Sequence, residues 1–132
     1  SDVLGGAVVT KEKSLRDRLY YIQNATGAVM NPWEAYLSSR GLKTLDLRIR
    51  EHCRSAMTIA TFLADHPRVR KVYYPGLPSH PGHDIAARQM VGGFGGMLSF
   101  ELDGDLEQSS RFVKSTRLFR LAVSLGAVES LI

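Results

Sequence analysis

With 132 residues, the chain suffices for one compact domain or two partial ones, and its 44% hydrophobic content excludes a disordered tail. The net charge of +4 comes from 17 basic and 13 acidic residues interleaved along the chain, which argues for a solvated surface and against a nucleic-acid reader. No stretch reaches the roughly 20 apolar residues that a bilayer demands, and the single cysteine, Cys53, excludes an internal disulfide and suits a reducing compartment.

In chain order, Val3 to Val9 reads as a short buried strand, being apolar and glycine-bearing without a helical period. The opening residues lack the basic start and long apolar run of a signal peptide. Thr10 is placed to cap a helix from about Lys11 to Asn24, with Leu15, Leu19 and Ile22 along one face. Asn31-Pro32-Trp33-Glu34 carries a stronger start signal: a capping Asn, a Pro at the first helical position and a Glu three residues after the cap. This helix is expected to end near Arg40, with Trp33 packing its start. A long helix from Thr44 to Asp65 follows, lined by Leu45, Ile49, Cys53, Met57, Ala60 and Leu63 or Ala64, and His66-Pro67 stops it.

Beyond Pro67 the elements shorten and alternate. Val69 to Tyr74 reads as a strand, Asp84 to Met90 as a helix, and Met97 to Leu102 as a strand with Leu98, Phe100 and Leu102 on one face. Gly92-Gly93-Phe94-Gly95-Gly96 between them reads as a flexible hinge. A helix from Asp105 to Lys114 and a last strand from Leu118 to Val123 complete a βαβαβ-like unit, so the class is α/β or α+β. The chain then stops on apolar residues with no polar tail, which predicts a piece of a longer protein.

Self-contained chemistry is scarce in these residues. His80-x-x-His83 has a metal pair's residue types, but it lies in a Pro/Gly loop with no third ligand at the required spacing. The run of glycines at 92–96 precedes a strand, whereas phosphate loops follow a strand and open a helix. Ser124 has no paired His and Asp in a hydrolase arrangement. Cys53 falls on the apolar stripe of its helix and reads as core.

Four segments carry a family resemblance. They are Ser1-Asp2-Val3-Leu4-Gly5-Gly6, Arg40-Gly41-Leu42-Lys43-Thr44-Leu45, Tyr74-Pro75-Gly76-Leu77-Pro78-Ser79-His80-Pro81 and Ser124-Leu125-Gly126-Ala127-Val128-Glu129-Ser130-Leu131. In this order and at these spacings the chain resembles the pyridoxal-phosphate (PLP) dependent trans-sulfuration enzymes. These include cystathionine γ-synthase, cystathionine γ-lyase, cystathionine β-lyase and methionine γ-lyase.

The resemblance implies an α/β fold of the aspartate-aminotransferase type (fold type I). Residues 1–43 would be the edge of the large cofactor domain, 44–66 a linking helix and 67–132 most of the small C-terminal domain. It implies pyridoxal 5'-phosphate as cofactor, a sulfur amino acid as substrate, and a cytoplasmic homotetramer with no nucleic-acid or membrane partner. The chemistry would be C–S cleavage or γ-replacement on cystathionine or a related amino acid, with PLP as electron sink.

The Schiff-base lysine would lie just before Ser1, leaving Ser1 adjacent to the cofactor motif and no catalytic lysine in the chain. An arginine clamping the substrate carboxylate would lie beyond Ile132. Ser124 would line the carboxylate pocket with Leu125 and Val123 beside it, and no metal ligand is implied. Val123 stands where several cystathionine-handling members have a glutamate. It favours a methionine γ-lyase-like or cysteine/homocysteine lyase activity, whereas the longer matching segments favour the cystathionine enzymes. The rival from another class is a non-catalytic interaction or regulatory domain of the same fold.

Overall fold

The computed structural model describes residues 2–124, 126 and 128–132. The chain forms two compact units, one ending at Thr44 and one spanning Leu45–Ile132.

In the first unit, two helices account for the regular structure: α1 (Lys13–Thr26) and α2 (Pro32–Leu42). The strand expected at Val3 to Val9 does not form. Leu4, Val8 and Val9 are 86%, 75% and 93% exposed. A strand is stable only when its backbone groups find a ladder, and none is offered to this segment among the described residues. Thr10 is not the cap of α1, whose N-cap is Glu12 without a side-chain hydrogen bond. Instead, Thr10 Oγ1 accepts from the Glu12 amide at 3.1 Å and braces the approach to the helix. Gly27 ends α1 in the left-handed region at φ 69°, where a Cβ would be strained.

The second helix starts as its sequence dictates. Asn31 accepts from the Glu34 amide at 3.0 Å, and Pro32 fills the first helical position, where its missing N–H costs nothing. Trp33 does not pack inward; it is 67% exposed and stacks on Tyr36 at 5.6 Å. Gly41 does not break the helix, which runs to Leu42 and closes with Lys43 and Thr44 amides on the Arg40 and Gly41 carbonyls.

The second unit is ordered α3 (Leu45–Ala64), β1 (Val69–Tyr73), α4 (His83–Gln89), β2 (Ser99–Leu102) and α5 (Leu106–Ser115). Strands β1 and β2 pair antiparallel, with Val72 opposite Phe100 and an irregularity between Val69 and Lys71. The core lies between this ribbon and α3. Ala56, Ala60, Val72, Tyr74 and Leu77 are buried, and Met57, Leu63, Leu98 and Phe100 pack against them. Alanines four residues apart on α3 leave room for the strand to approach the helix backbone. The predicted stripe on α3 is buried in its C-terminal half, whereas Leu45 and Ile49 remain 38% and 44% exposed.

Helix α5 begins with a reciprocal capping box. Asp105 accepts from the Gln108 amide at 2.8 Å, and Gln108 accepts from the Asp105 amide at 3.2 Å. Phe112 meets Phe100 edge-on at 5.9 Å and seats α5 on the ribbon. The last expected strand, Leu118 to Val123, is reduced to a single parallel bridge between Arg120 and Leu131. Leu118 and Leu121 are 86% and 59% exposed, so a period-two pattern without a neighbouring ladder yields an irregular segment.

Candidate functional site

The segment carrying Ser124 is a loop with a closed neck. The Arg120 amide donates to the Ser130 carbonyl at 2.9 Å, and the Ile132 amide donates to the Arg120 carbonyl at 3.0 Å. Both sides of Arg120 are thereby tied to the returning chain. Thr116 Oγ1 braces the approach, lying 2.9 Å from the Val113 carbonyl and 2.8 Å from the Phe119 carbonyl. Val123 and Ser124 are both exposed, Val123 completely. Of the other residues expected at this site, Leu125 and Ser1 lie outside the described residues.

The histidines do not converge on Ser124 as a triad would require. His66 and His80 each accept a nearby backbone amide, from Arg68 and Gly82, at 3.1 Å. His83 Nδ1 lies 2.8 Å from the Pro75 carbonyl, and its ring packs on Phe94 at 5.7 Å. His80 and His83 thus fasten their own loop, and the described residues contain no cluster of three or more metal-ligating side chains.

A second constellation was not legible in the sequence. Tyr74, fully buried, donates its hydroxyl to the Gly95 carbonyl at 2.9 Å. On the same residue, the Gly95 amide donates to Cys53 Sγ at 3.2 Å. Gly95 is therefore held by both its polar backbone groups, and the glycine segment is pinned to α3; it is not the free hinge expected. Gly93 must come close to do this: a Cβ there would lie 2.6 Å from Cys53 Sγ, at a φ of 147°. Burial pushes the Tyr74 phenol above its usual pKa, and the neighbouring Cys53 adds to the rise. Cys53 reads as core, as expected, and no periodicity rule could have signalled its tie to residue 95.

The fold and this loop define a class. The family model for Cys/Met metabolism PLP-dependent enzymes matches residues 1–132, and the chain belongs to that family. It is 54% identical to a cystathionine gamma-synthase of Mycobacterium bovis over 132 residues, which cover 100% of this chain and 34% of that protein. Against a cystathionine beta-lyase of Coxiella burnetii it is 52% identical over 133 residues, again covering 100% of this chain and 34% of the relative. A crystal structure of cystathionine gamma synthase from Xanthomonas oryzae pv. oryzae in complex with cystathionine superposes with a TM-score of 0.88. That match has 48% identity and covers 93% of this chain and 32% of the other. The chain thus spans about a third of the length of the curated relatives it matches. Mixed helix and strand with this likeness is the α/β fold of the PLP-dependent cystathionine enzymes.

The family implies pyridoxal phosphate, and the residues described here do not by themselves fit it. A Schiff-base amine must be desolvated to be neutral and nucleophilic, yet Lys11, Lys13, Lys43, Lys71 and Lys114 are all exposed. Nor do the glycines at 92–96 form a phosphate cradle, since the Gly95 amide is committed to Cys53.

Proposed function

We propose that this chain is part of a PLP-dependent trans-sulfuration enzyme that cleaves a C–S bond in, or performs γ-replacement to form, cystathionine or a related sulfur amino acid. The observation that carries the reading is the family match over residues 1–132, which includes the Ser124-Leu125-Gly126 segment. PLP, held by residues outside those described, would supply the electron sink.

Within this reading the loop carries the substrate's carboxylate end. Ser124 donates a hydrogen bond to orient it, Leu125 is its neighbour in sequence, and Val123 supplies an apolar wall. Ser124 is not a nucleophile. By family resemblance the attachment lysine belongs just before Ser1 and a carboxylate-clamping arginine beyond Ile132, and these 132 residues alone would be inactive. Residues 1–43 belong to the edge of the cofactor domain, 44–66 to a linking helix and 67–132 to the small domain. The enzyme works in the cytoplasm as a homotetramer.

The apolar side chain of Val123 supports a second reading within the family, in which the preferred substrate has no distal ammonium, as in a methionine γ-lyase-like enzyme.

The experiment is a PLP titration of the full-length protein, read by the Schiff-base absorbance band, followed by product analysis. Elimination is scored by 2-oxo acid release and replacement by cystathionine formation. Absence of both band and products would overturn the enzyme reading in favour of a non-catalytic domain.

A further inference from the structure

An open depression of about 480 Å³ lies at the end of α5, beside the neck of the Ser124 loop. Lys114, Arg117 and Arg120 all line it, with Phe119 and Val113 among its apolar lining. Among the described residues none of these three cations forms an ion pair or a side-chain hydrogen bond, whereas Arg50, Arg54, Arg70 and Arg111 of the same unit each pair with a carboxylate. A cation at a helix C-terminus is ordinary, since it meets the negative end of the helix dipole. Three unpaired cations lining one concavity exceed what that interaction requires. The carbonyls that would repel an anion are partly engaged, because Thr116 Oγ1 bridges the Val113 and Phe119 carbonyls.

We propose that this depression binds the phosphate group of a small molecule. Two arginines and a lysine favour a dianion over a monocarboxylate, because each guanidinium offers paired donors to tetrahedral oxygens and the lysine adds a point charge. The apolar lining suits a phosphate monoester with a short carbon body better than bare phosphate. Arg120 belongs to both features: its side chain lines the depression, and its amide and carbonyl close the neck. Holding the Arg120 side chain therefore restrains the neck, and ligand binding steadies the loop that presents Ser124. The proposal does not depend on the reaction assigned above.

The test is calorimetric titration of the full-length, PLP-saturated protein, so that the cofactor's own phosphate site is filled. Inorganic phosphate and glycerol phosphate are the two probes, each against sodium chloride at equal ionic strength. The expected result is one saturable site per chain for both, tighter for the ester. Binding should weaken by about tenfold or more in Arg117→Gln/Arg120→Gln, as loss of charge-assisted hydrogen bonds predicts. Arg88→Gln, an exposed arginine on α4, is the control and should bind as the parent does. Hydrogen exchange of the Arg120 and Ile132 amides should slow on adding either probe. Equal binding by the parent and the double variant would overturn the proposal, as would an equal loss in Arg88→Gln or unchanged exchange at the neck amides. A phosphate site that survives in the double variant but is displaced by cystathionine would place binding in the substrate pocket, and would also overturn it.

Discussion

Tyr74 donates its buried hydroxyl to the carbonyl of Gly95 at 2.9 Å, across 21 residues of sequence. The bond joins the end of β1 to the glycine segment that leads into β2, and the Cys53 thiol holds the same glycine from the helix side. Tyr74→Phe keeps the ring in the core but leaves the Gly95 carbonyl without this donor. The expected cost is about 1–3 kcal/mol of folding stability, read as a shift in the urea midpoint at unchanged slope.

The same residue predicts an alkaline limit. The folded-state pKa of Tyr74 is raised by burial and then by Cys53, so the fold favours the neutral phenol. The unfolded chain loses that proton first as pH rises. The stabilisation is therefore fully present below the usual tyrosine pKa and is lost as pH climbs above it toward the raised folded value. Unfolding followed across the alkaline range should show a decline in the parent that is smaller in Tyr74→Phe.

Gly93→Ala should destabilise by about 1–3 kcal/mol, because its left-handed backbone disfavours any Cβ and that Cβ would sit 2.6 Å from Cys53 Sγ. Adding Cys53→Ala removes the contact but not the backbone strain. The double variant should thus be more stable than the sum of the single changes predicts, a coupling measured by a double-mutant cycle. Strict additivity would mean that the two residues do not press on one another.

Asp105→Ala removes the side-chain half of the capping box at α5, leaving the amide of residue 105 to donate to Gln108, and should cost about 1 kcal/mol, most visible as faster amide exchange in the first turn of that helix. Asn31→Ala should do the same for α2.

For the proposed reaction, Ser124→Ala in the full-length protein should raise KM by roughly threefold to tenfold, the worth of one hydrogen bond to a charged carboxylate in a solvent-accessible loop, with a smaller change in kcat. Val123→Glu should improve kcat/KM for cystathionine relative to a substrate without a distal ammonium, since it places a carboxylate beside Ser124. No change in either ratio would remove the loop from substrate recognition.

The elements that the sequence announces most clearly are those whose signals are local. Asn31, Pro32 and Glu34 specify a helix start within four residues, and the structure forms it there. The Val69 and Leu98–Leu102 patterns mark the ribbon because their apolar faces meet α3 and α5. Val3–Val9 and Leu118–Val123 have strand-like composition too, but a ladder is a non-local partnership and composition cannot supply one. The same reason hid the tie from Cys53 to Gly95, which joins residues 42 apart. Ser124 is singled out by family likeness and not by physical pattern: a lone serine in an apolar run has no periodicity that marks it as a site.

The bridge between Arg120 and Leu131 is built from main-chain atoms alone. Its two hydrogen bonds are indifferent to the side chains of Arg120, Ser130 and Ile132, so residues can be exchanged there while the attachment persists. Relatives named for synthesis and for β-cleavage stand at 54% and 52% identity to this chain. An attachment fastened by backbone alone lets selection rewrite side chains beside it without renegotiating the fold beneath.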